Sequence, residues 1–340
     1  MSIPIASHAS SLPFSLAKSS DEDRQEKENK AIVFDGYKDK VAILPKEKGW
    51  MTENMYLYQG FWSQAVETIM AVQDAFKACP TDIYLATLPK SGTTWLKALV
   101  FALVNRNKYK NNGLCKNPLL VSNPHKCLPF IEDEIFKKTP TYVDSHLQRV
   151  FATHIPYTLL PQSILDCNCR FVYLYRNPKD VLVSLFHFTN KLRNKSCGQM
   201  TLEEAFKLFS NGTSPNGPYW DHVKGYYKAS LEHPENVLLL TYEDMTIDTT
   251  NNVKRLAKFL GCPFTEEEEA EDAVQGIITL CSFENLSEIN KHGNLHVDMP
   301  NNLFFREGKV GDWRNHLTND MSHVLDEITK EKFHDLGISF

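Results

Sequence analysis

A run of apolar, β-branched and aromatic residues from Ile83 to Leu88 leads straight into Pro89-Lys90-Ser91-Gly92-Thr93-Thr94-Trp95 and then into an apolar helical stretch, Leu96 to Val104. A strand that turns through a glycine loop into a helix demands an α/β unit. It also gathers backbone N–H groups at the helix N-terminus, where the helix dipole favours an anion. Gly92 gives the turn its freedom, the serine and threonines add hydroxyls, and Lys90 puts a positive charge at the entrance. The order differs from the ATP-binding loop G-x-x-x-x-G-K-[ST], because the first glycine is missing and Lys90 precedes Gly92. The expected ligand is a phosphate on a nucleotide other than ATP. The same residues would also make a plain helix start, with Ser91 as cap, Gly92 easing the turn and Lys90 in solvent.

The chain of 340 residues is long enough to bury a substantial core. Its formal net charge of -5 argues against a protein that holds nucleic acid through phosphates, so no nucleic-acid partner is expected and any anion site must be local. Eight cysteines are scattered without C-x-x-C pairs and read as reduced thiols. Cys167-Asn168-Cys169 offers two sulfurs where structural zinc takes about four ligands, and no metal is expected. No apolar run reaches the roughly 18 residues of a membrane span, so no membrane association is expected and the localisation reads as cytoplasmic. The serine-rich first twenty residues hold no acid, one lysine and no arginine. They read less as a transit peptide than as part of a polar, disordered tail, residues 1–45, with at most one amphipathic turn. The folded domain is expected over 46–340.

Three further segments read as buried strands: Arg149 to Thr153, Arg170 to Tyr175 and Val237 to Tyr242. Thr201-Leu202-Glu203-Glu204 has capping-box spacing, and Asn251 to Leu260 reads as a helix that stops at Gly261-Cys262-Pro263. The acidic run Glu266 to Glu269 fits a helix start better than a metal site. Strands alternating with helices predict an α/β fold. It would be a single domain with a central, mostly parallel sheet flanked by helices, taking ligands at the carboxyl ends of its strands.

Arg176 stands at such an end. Pro178 suits the first turn of the helix that follows, and Ser184 lies a little over two turns along it. The two could share an anion if the loop folds back, which would make a nucleotide phosphorylated at both ends the natural ligand. Alternatively, Arg176 closes a turn at the surface. Near the C-terminus, Phe304-Phe305-Arg306-Glu307-Gly308-Lys309-Val310-Gly311-Asp312-Trp313 carries glycine and arginine between aromatic anchors, a composition suited to closing over an anion.

Together, Leu88 to Trp95, Arg176 to Ser184 and Arg306 to Trp313 resemble, in order and spacing, the three cofactor motifs of the cytosolic sulfotransferases. The N-terminal extension and Ala152-Thr153-His154-Ile155-Pro156 look most like the plant soluble branch. The resemblance covers residues 46–340 and implies a cofactor, 3′-phosphoadenosine 5′-phosphosulfate (PAPS), with 3′-phosphoadenosine 5′-phosphate (PAP) as product. The implied reaction is transfer of a sulfuryl group to a hydroxyl of a small, largely hydrophobic acceptor of phenolic, flavonoid, steroid or hydroxylated-acid type, without a divalent metal. It also implies roles for single residues. Lys90, Ser91, Gly92, Thr93 and Thr94 would hold the 5′-phosphosulfate; Trp95, Tyr242 and Phe283 would pack on the adenine; Arg176, Ser184, Arg306 and Gly308 would hold the 3′-phosphate. His154 would be the general base and Lys90 the cation that offsets charge on the bridging oxygen. A near-neutral imidazole suits the first task, and positioned bases contribute roughly 10²–10⁴-fold.

Two positions depart from the animal members. Ala152 stands where many carry a lysine, which shifts charge stabilisation onto Lys90, and Glu307 replaces a lysine in the closing loop. The usual dimer segment corresponds to Arg314, Thr318-Asn319 and His323 without its key apolar and acidic members, so a monomer is expected. Acceptor walls are expected near Tyr157, Phe186 to Phe188, Tyr219-Trp220 and Leu286 to Phe304, which fit a flat hydrophobe better than a sugar. His292 and His296 either meet a polar substituent or cap a loop. A P-loop kinase is disfavoured by the lysine order, and a nucleotide-binding regulator without catalysis is the reading that Ala152 and Glu307 favour.

Overall fold

The computed structural model of the protein describes residues 20–110, 117–137, 148–296, 299–338 and 340. At its centre four parallel strands, β1 (Ile83–Thr87), β2 (Val150–Thr153), β3 (Arg170–Tyr175) and β4 (Val237–Thr241), pair in the order β2-β1-β3-β4. These are the four segments that the sequence marks, shortened at Leu88, Arg149 and Tyr242. Both faces of the sheet are covered, which is why the strands read as nearly continuous apolar runs. Tyr84, Phe151, Phe171 and Tyr173 point into one cluster, and Leu85, Ala152, Val172 and Leu174 into the other. On the first face Tyr84 stacks between Phe151 and Phe171, with ring centres 6.0 and 5.2 Å away, and Tyr173 stacks on Tyr226 at 4.2 Å.

Helix α3 (Thr93–Lys110) covers the second face with Leu96, Leu99, Val100 and Leu103. The first face is covered by α4 (Pro178–Leu192), α5 (Tyr219–Glu232) and α6 (Asn319–Phe333), through Leu182 and Leu185, Trp220 and Tyr226, and Leu325 and Phe333. Helix α4 starts as expected, with Pro178 in the first turn and the Asn177 side chain accepting from the Lys179 N–H. The capping box at Thr201 and Glu204 is present. In the acidic run, Glu268 forms an ion pair with Arg106 at 2.8 Å, a structural clamp. Among the described residues no acid, histidine and cysteine cluster could hold a metal, and no helix is long and apolar enough to cross a membrane.

The N-terminal region differs from expectation. Residues Ser20–Ala42 form helix α1, which packs on α2 (Val66–Ala75) through Val41, Val66 and Met70. Tyr37 donates to Asp74 at 2.6 Å, and the Asn29 amide donates to Phe136 O at 3.1 Å. The helix is polar along most of its length, so its order comes from these partners rather than from a stripe of its own. Residues 1–19 of the expected tail lie outside the described residues. A small antiparallel sheet of Lys46–Lys48, Asn54–Tyr58 and Phe61–Ser63 was not legible, its strands being too short for a periodic signal.

The register levels the carboxyl ends of the central sheet: Ala86 pairs with Thr153, Thr87 with Leu174, and Tyr175 with Thr241. The Lys90 loop, His154, Arg176 and Tyr242 therefore emerge along one edge. The chain passes from β1 to β2 on one side and to β3 on the other, which sets the β1 loop at the topological switch point, where a crevice opens.

Candidate active site

The backbone of the β1 loop is unusual at two points, with φ of +71° at Lys90 and +109° at Gly92. A left-handed lysine is the kind of local strain that functional loops retain. Gly92 is needed twice over, since a Cβ there would meet Tyr242 at 2.8 Å and Leu174 at 2.9 Å. The Ser91 N–H donates to Leu88 O at 3.2 Å, and the first helical bond runs from Leu96 N–H to Gly92 O at 3.0 Å. The amides of Gly92, Thr93, Thr94 and Trp95 are the ones that helix geometry leaves for a ligand. Ser91 is not among the residues that line the cavity. Its side chain is fully buried behind the loop, its Oγ has no partner among the described residues and its N–H is already spent. Every other residue of the expected set lines one cavity of about 320 Å³.

Three cations converge there: Lys90, Arg176 and Arg306. The Lys90 Nζ lies 4.0 Å from the Phe188 ring centre and 5.9 Å from that of Phe304. Burial, reinforced by Arg306, Arg176 and Lys191, pulls its pKa down to about 7. The Arg176 Nη2 donates to Lys309 O at 2.6 Å and lies 3.3 Å from Asp180, and Arg306 pairs with Asp312 at 2.6 Å. Yet both arginines keep a buried Nε without an acceptor among the described residues. Unsatisfied donors and mutually repelling charges are costly unless an anion joins them. The residues thus fit a ligand with phosphate groups at two points.

Asp180, on α4, holds the closing loop over this cluster. It is almost completely buried and accepts from Gly311 N–H at 2.7 Å and Trp313 N–H at 3.0 Å. The Tyr242 hydroxyl donates to Gly308 O at 3.1 Å, its ring meets Trp95 edge-on at 5.4 Å, and Arg176 lies 4.4 Å over it. Gly308 has φ of +67°, and a Cβ there would fall 2.4 Å from the Phe283 ring. Trp95, Tyr242 and Phe283 make an aromatic wall suited to a planar base. Glu307 is exposed at the rim of the cavity.

His154 leaves β2 and lines the same cavity. Its Nδ1 lies 2.8 Å from Thr87 O; a carbonyl only accepts, so Nδ1 carries the proton and Nε2 keeps its lone pair. Burial, with Lys97 and Lys90 adding to it against the Thr87 bond, lowers the pKa to about 4. The strand end is pinned by Glu132, which accepts from His154 N–H at 2.8 Å and from the Thr153 hydroxyl at 3.0 Å. From behind, His222 Nε2 donates to His154 O at 3.1 Å. A neutral imidazole beside a cation is set to take a proton from a hydroxyl brought between them.

Phe188 and Phe304 line the cavity, and Phe130, which does not, is centred 4.9 Å from the His154 ring. Tyr219 and Trp220, expected on the acceptor wall, are core residues, and Tyr219 donates to Arg176 O. His292 is exposed, and the His296 side chain lies outside the described residues. Ala152 is fully buried, but a second buried cation, Lys97 on α3, lies close by with its Nζ 3.4 Å over Phe130. Sequence reading missed Lys97 and Asp180, although each left a sign: a charge inside an apolar helical run, and an acid four residues after Arg176.

At the switch point of the α/β sheet one cavity gathers a glycine loop, three cations and a histidine protonated on Nδ1, a lining that fits an anion held at two points. The family described as the sulfotransferase domain matches residues 80–337. The chain is 46% identical over 316 residues to flavonol 4′-sulfotransferase of Flaveria chlorifolia, covering 90% of this chain and 97% of that protein. It is 44% identical over 306 residues to cytosolic sulfotransferase 12 of Arabidopsis thaliana, covering 88% and 92%. A mouse sulfotransferase crystallised with PAP superposes with a TM-score of 0.61 at 26% identity, over 83% of this chain and 95% of that one. The chain belongs to the sulfotransferase family, and it is similar to the plant cytosolic members.

Proposed function

We propose that the protein transfers a sulfuryl group from PAPS to a hydroxyl of a planar phenolic acceptor, a flavonol first among them. The observation that carries this is the convergence on one cavity of three cations, two of them arginines with an unsatisfied Nε, and a histidine protonated on Nδ1. PAP in the mouse structure and the flavonol in the name of the Flaveria relative support cofactor and acceptor. In this reading Lys90, the Gly92 to Trp95 amides and the Thr93 and Thr94 hydroxyls hold the 5′ end. Arg176, Ser184, Arg306 and the Gly308 backbone hold the 3′-phosphate, and Trp95, Tyr242 and Phe283 hold the adenine.

Bound PAPS supplies the sulfuryl group and the phosphate oxygen that leaves. His154 Nε2 accepts the proton of the acceptor hydroxyl, while the Nδ1–H bond to Thr87 keeps the ring in the right tautomer and orientation. Lys90 Nζ offsets the charge that builds on the leaving oxygen, and Phe188 and Phe304 beside it keep water out. Phe188 and Phe304 offer faces to a flat ring system. Since Lys90 and the two arginines already supply positive charge, the reaction is read as metal-free. A monomer fits the use of the C-terminal segment within the chain, where Arg314 lies 4.5 Å over Trp313 and Thr318 caps α6. A cytosolic location is carried over from the name of the Arabidopsis relative.

The test is incubation with sulfate-labelled PAPS and a panel of flavonols, simple phenols, steroids and hydroxylated acids, without Mg²⁺. Sulfated flavonol is expected. Tight PAP binding with no turnover on any acceptor would instead favour a nucleotide-binding regulator, the reading that Ala152 and Glu307 speak for.

A further inference from the structure

A lysine that pairs with no described carboxylate, though Asp133 and Glu132 act on it from farther off, sits at the back of the cavity wall. Lys97 is fully buried in α3, and among the described residues its Nζ makes no ion pair. Its polar partners are Leu128 O at 3.0 Å and His125 Nδ1 at 3.1 Å. Desolvating an ammonium group is expensive, and a carbonyl and an imidazole return only part of that cost. Burial accordingly pulls its pKa down to about 7. His125 is held between two rings, stacked on Phe130 at 5.6 Å and 4.5 Å from Phe304. Its Nε2 lies 3.0 Å from Thr94 Oγ1, and both His125 and Thr94 line the cavity.

The direction of these bonds follows from what each group can do. Below about pH 7, where Lys97 is protonated, its ammonium group only donates, so Nδ1 of His125 accepts and the ring proton sits on Nε2. Nε2–H then donates to Thr94 Oγ1. With its oxygen taken, the Thr94 hydroxyl has its own proton left to give, at the helix N-terminus beside Lys90.

We propose that Lys97 and His125 are positioning residues of the sulfotransferase: through a one-way hydrogen-bond chain they fix Thr94 as a donor toward the 5′-phosphate of the cofactor. This rests on the reading of the cavity as a PAPS site. The chain acts at one end of the nucleotide only, and that makes it separable from a general packing role.

The experiment is calorimetric binding of PAP and of adenosine 3′-monophosphate, which lacks the 5′-phosphate, to the full chain and to Lys97→Met, Thr94→Val and the double variant. Lys97→Met keeps the length of the side chain and removes the charge. Each single variant is expected to bind PAP about tenfold more weakly and to bind the 3′-monophosphate unchanged. The double variant is expected to be no weaker than the weaker single variant, because the two residues act in series. Equal losses for both nucleotides, additive losses, or no loss of PAP affinity would each overturn the proposal. Should Lys97→Met fail to fold, His125→Phe keeps the ring between Phe130 and Phe304 without its nitrogens, and it must reproduce the Thr94→Val pattern. A wild-type chain that binds no PAP would instead refute the cofactor reading itself, and this inference with it.

Discussion

In the proposed reaction His154 acts by staying neutral. Burial and two neighbouring lysines hold its pKa at about 4, and burial holds His222 behind it at about 3. The unfolded chain protonates both near 6.5. Between that pH and about 4 the unfolded state therefore binds more protons than the folded state, so these two groups make stability fall as pH falls through that window. Histidine NMR of the ligand-free protein, assigned with His154→Gln, is expected to show His154 neutral with the proton on Nδ1 down to about pH 5. A titration centred near 6.5 would contradict this. Lys90 behaves in the opposite sense when the site fills. With a free-protein pKa of about 7 it is largely uncharged at pH 8, and an anion beside it restores the charge. PAP binding at pH 8 is expected to take up as much as about one proton, measurable by calorimetry in buffers of different ionisation enthalpy. Proton release would count against Lys90 as the anion's partner.

At the scale of elements, the closing loop and α4 behave as one unit because Asp180 joins them. Asp180→Ala would strip two loop amides of their acceptor and remove an ion-pair partner of Arg176, at a cost of about 3–5 kcal/mol in stability. The variant is expected to be cut faster by protease within 304–313 and to bind PAP at least about tenfold more weakly. An unchanged cleavage rate would remove Asp180 from this role. Gly308→Ala combines a left-handed backbone with a Cβ 2.4 Å from Phe283. It is expected to weaken PAP binding with little effect on the far face of the sheet, which hydrogen exchange can check. The sequence showed the four strands, the glycine loop, Arg176 and the aromatic-flanked loop, because each is written locally in periodicity and turn chemistry. It did not show that Asp180 holds the loop from 131 and 133 residues away, nor that Tyr219 faces Arg176 rather than an acceptor. Those contacts exist only once α4 and α5 pack on the sheet. Nor did it show that Ser91 would be fully buried with its Oγ unpartnered among the described residues and outside the cavity lining, since a helix-start serine can be exposed or packed away.

Over the whole molecule, the parallel sheet brings four strand ends level, so a short loop, a histidine, an arginine and a tyrosine from distant parts of the chain reach one cavity. Helix α1 extends the ordered body beyond what a polar composition announces, because it is stabilised from outside by α2 and Phe136. Removing residues 1–42 is expected to lower the thermal midpoint while leaving PAP affinity intact, since no described residue of that segment lines the cavity. A saturating anion should do the reverse and raise the midpoint, by about 2.7 kcal/mol of added stability at a hundred times the dissociation constant. The central claim is that this cavity separates two jobs, holding a doubly phosphorylated nucleotide and removing a proton from an acceptor. The most direct test is His154→Ala, assayed for flavonol sulfation and for PAP binding on the same preparation. Turnover is expected to fall by at least about 10²-fold with PAP affinity nearly unchanged; turnover close to wild type would contradict the account.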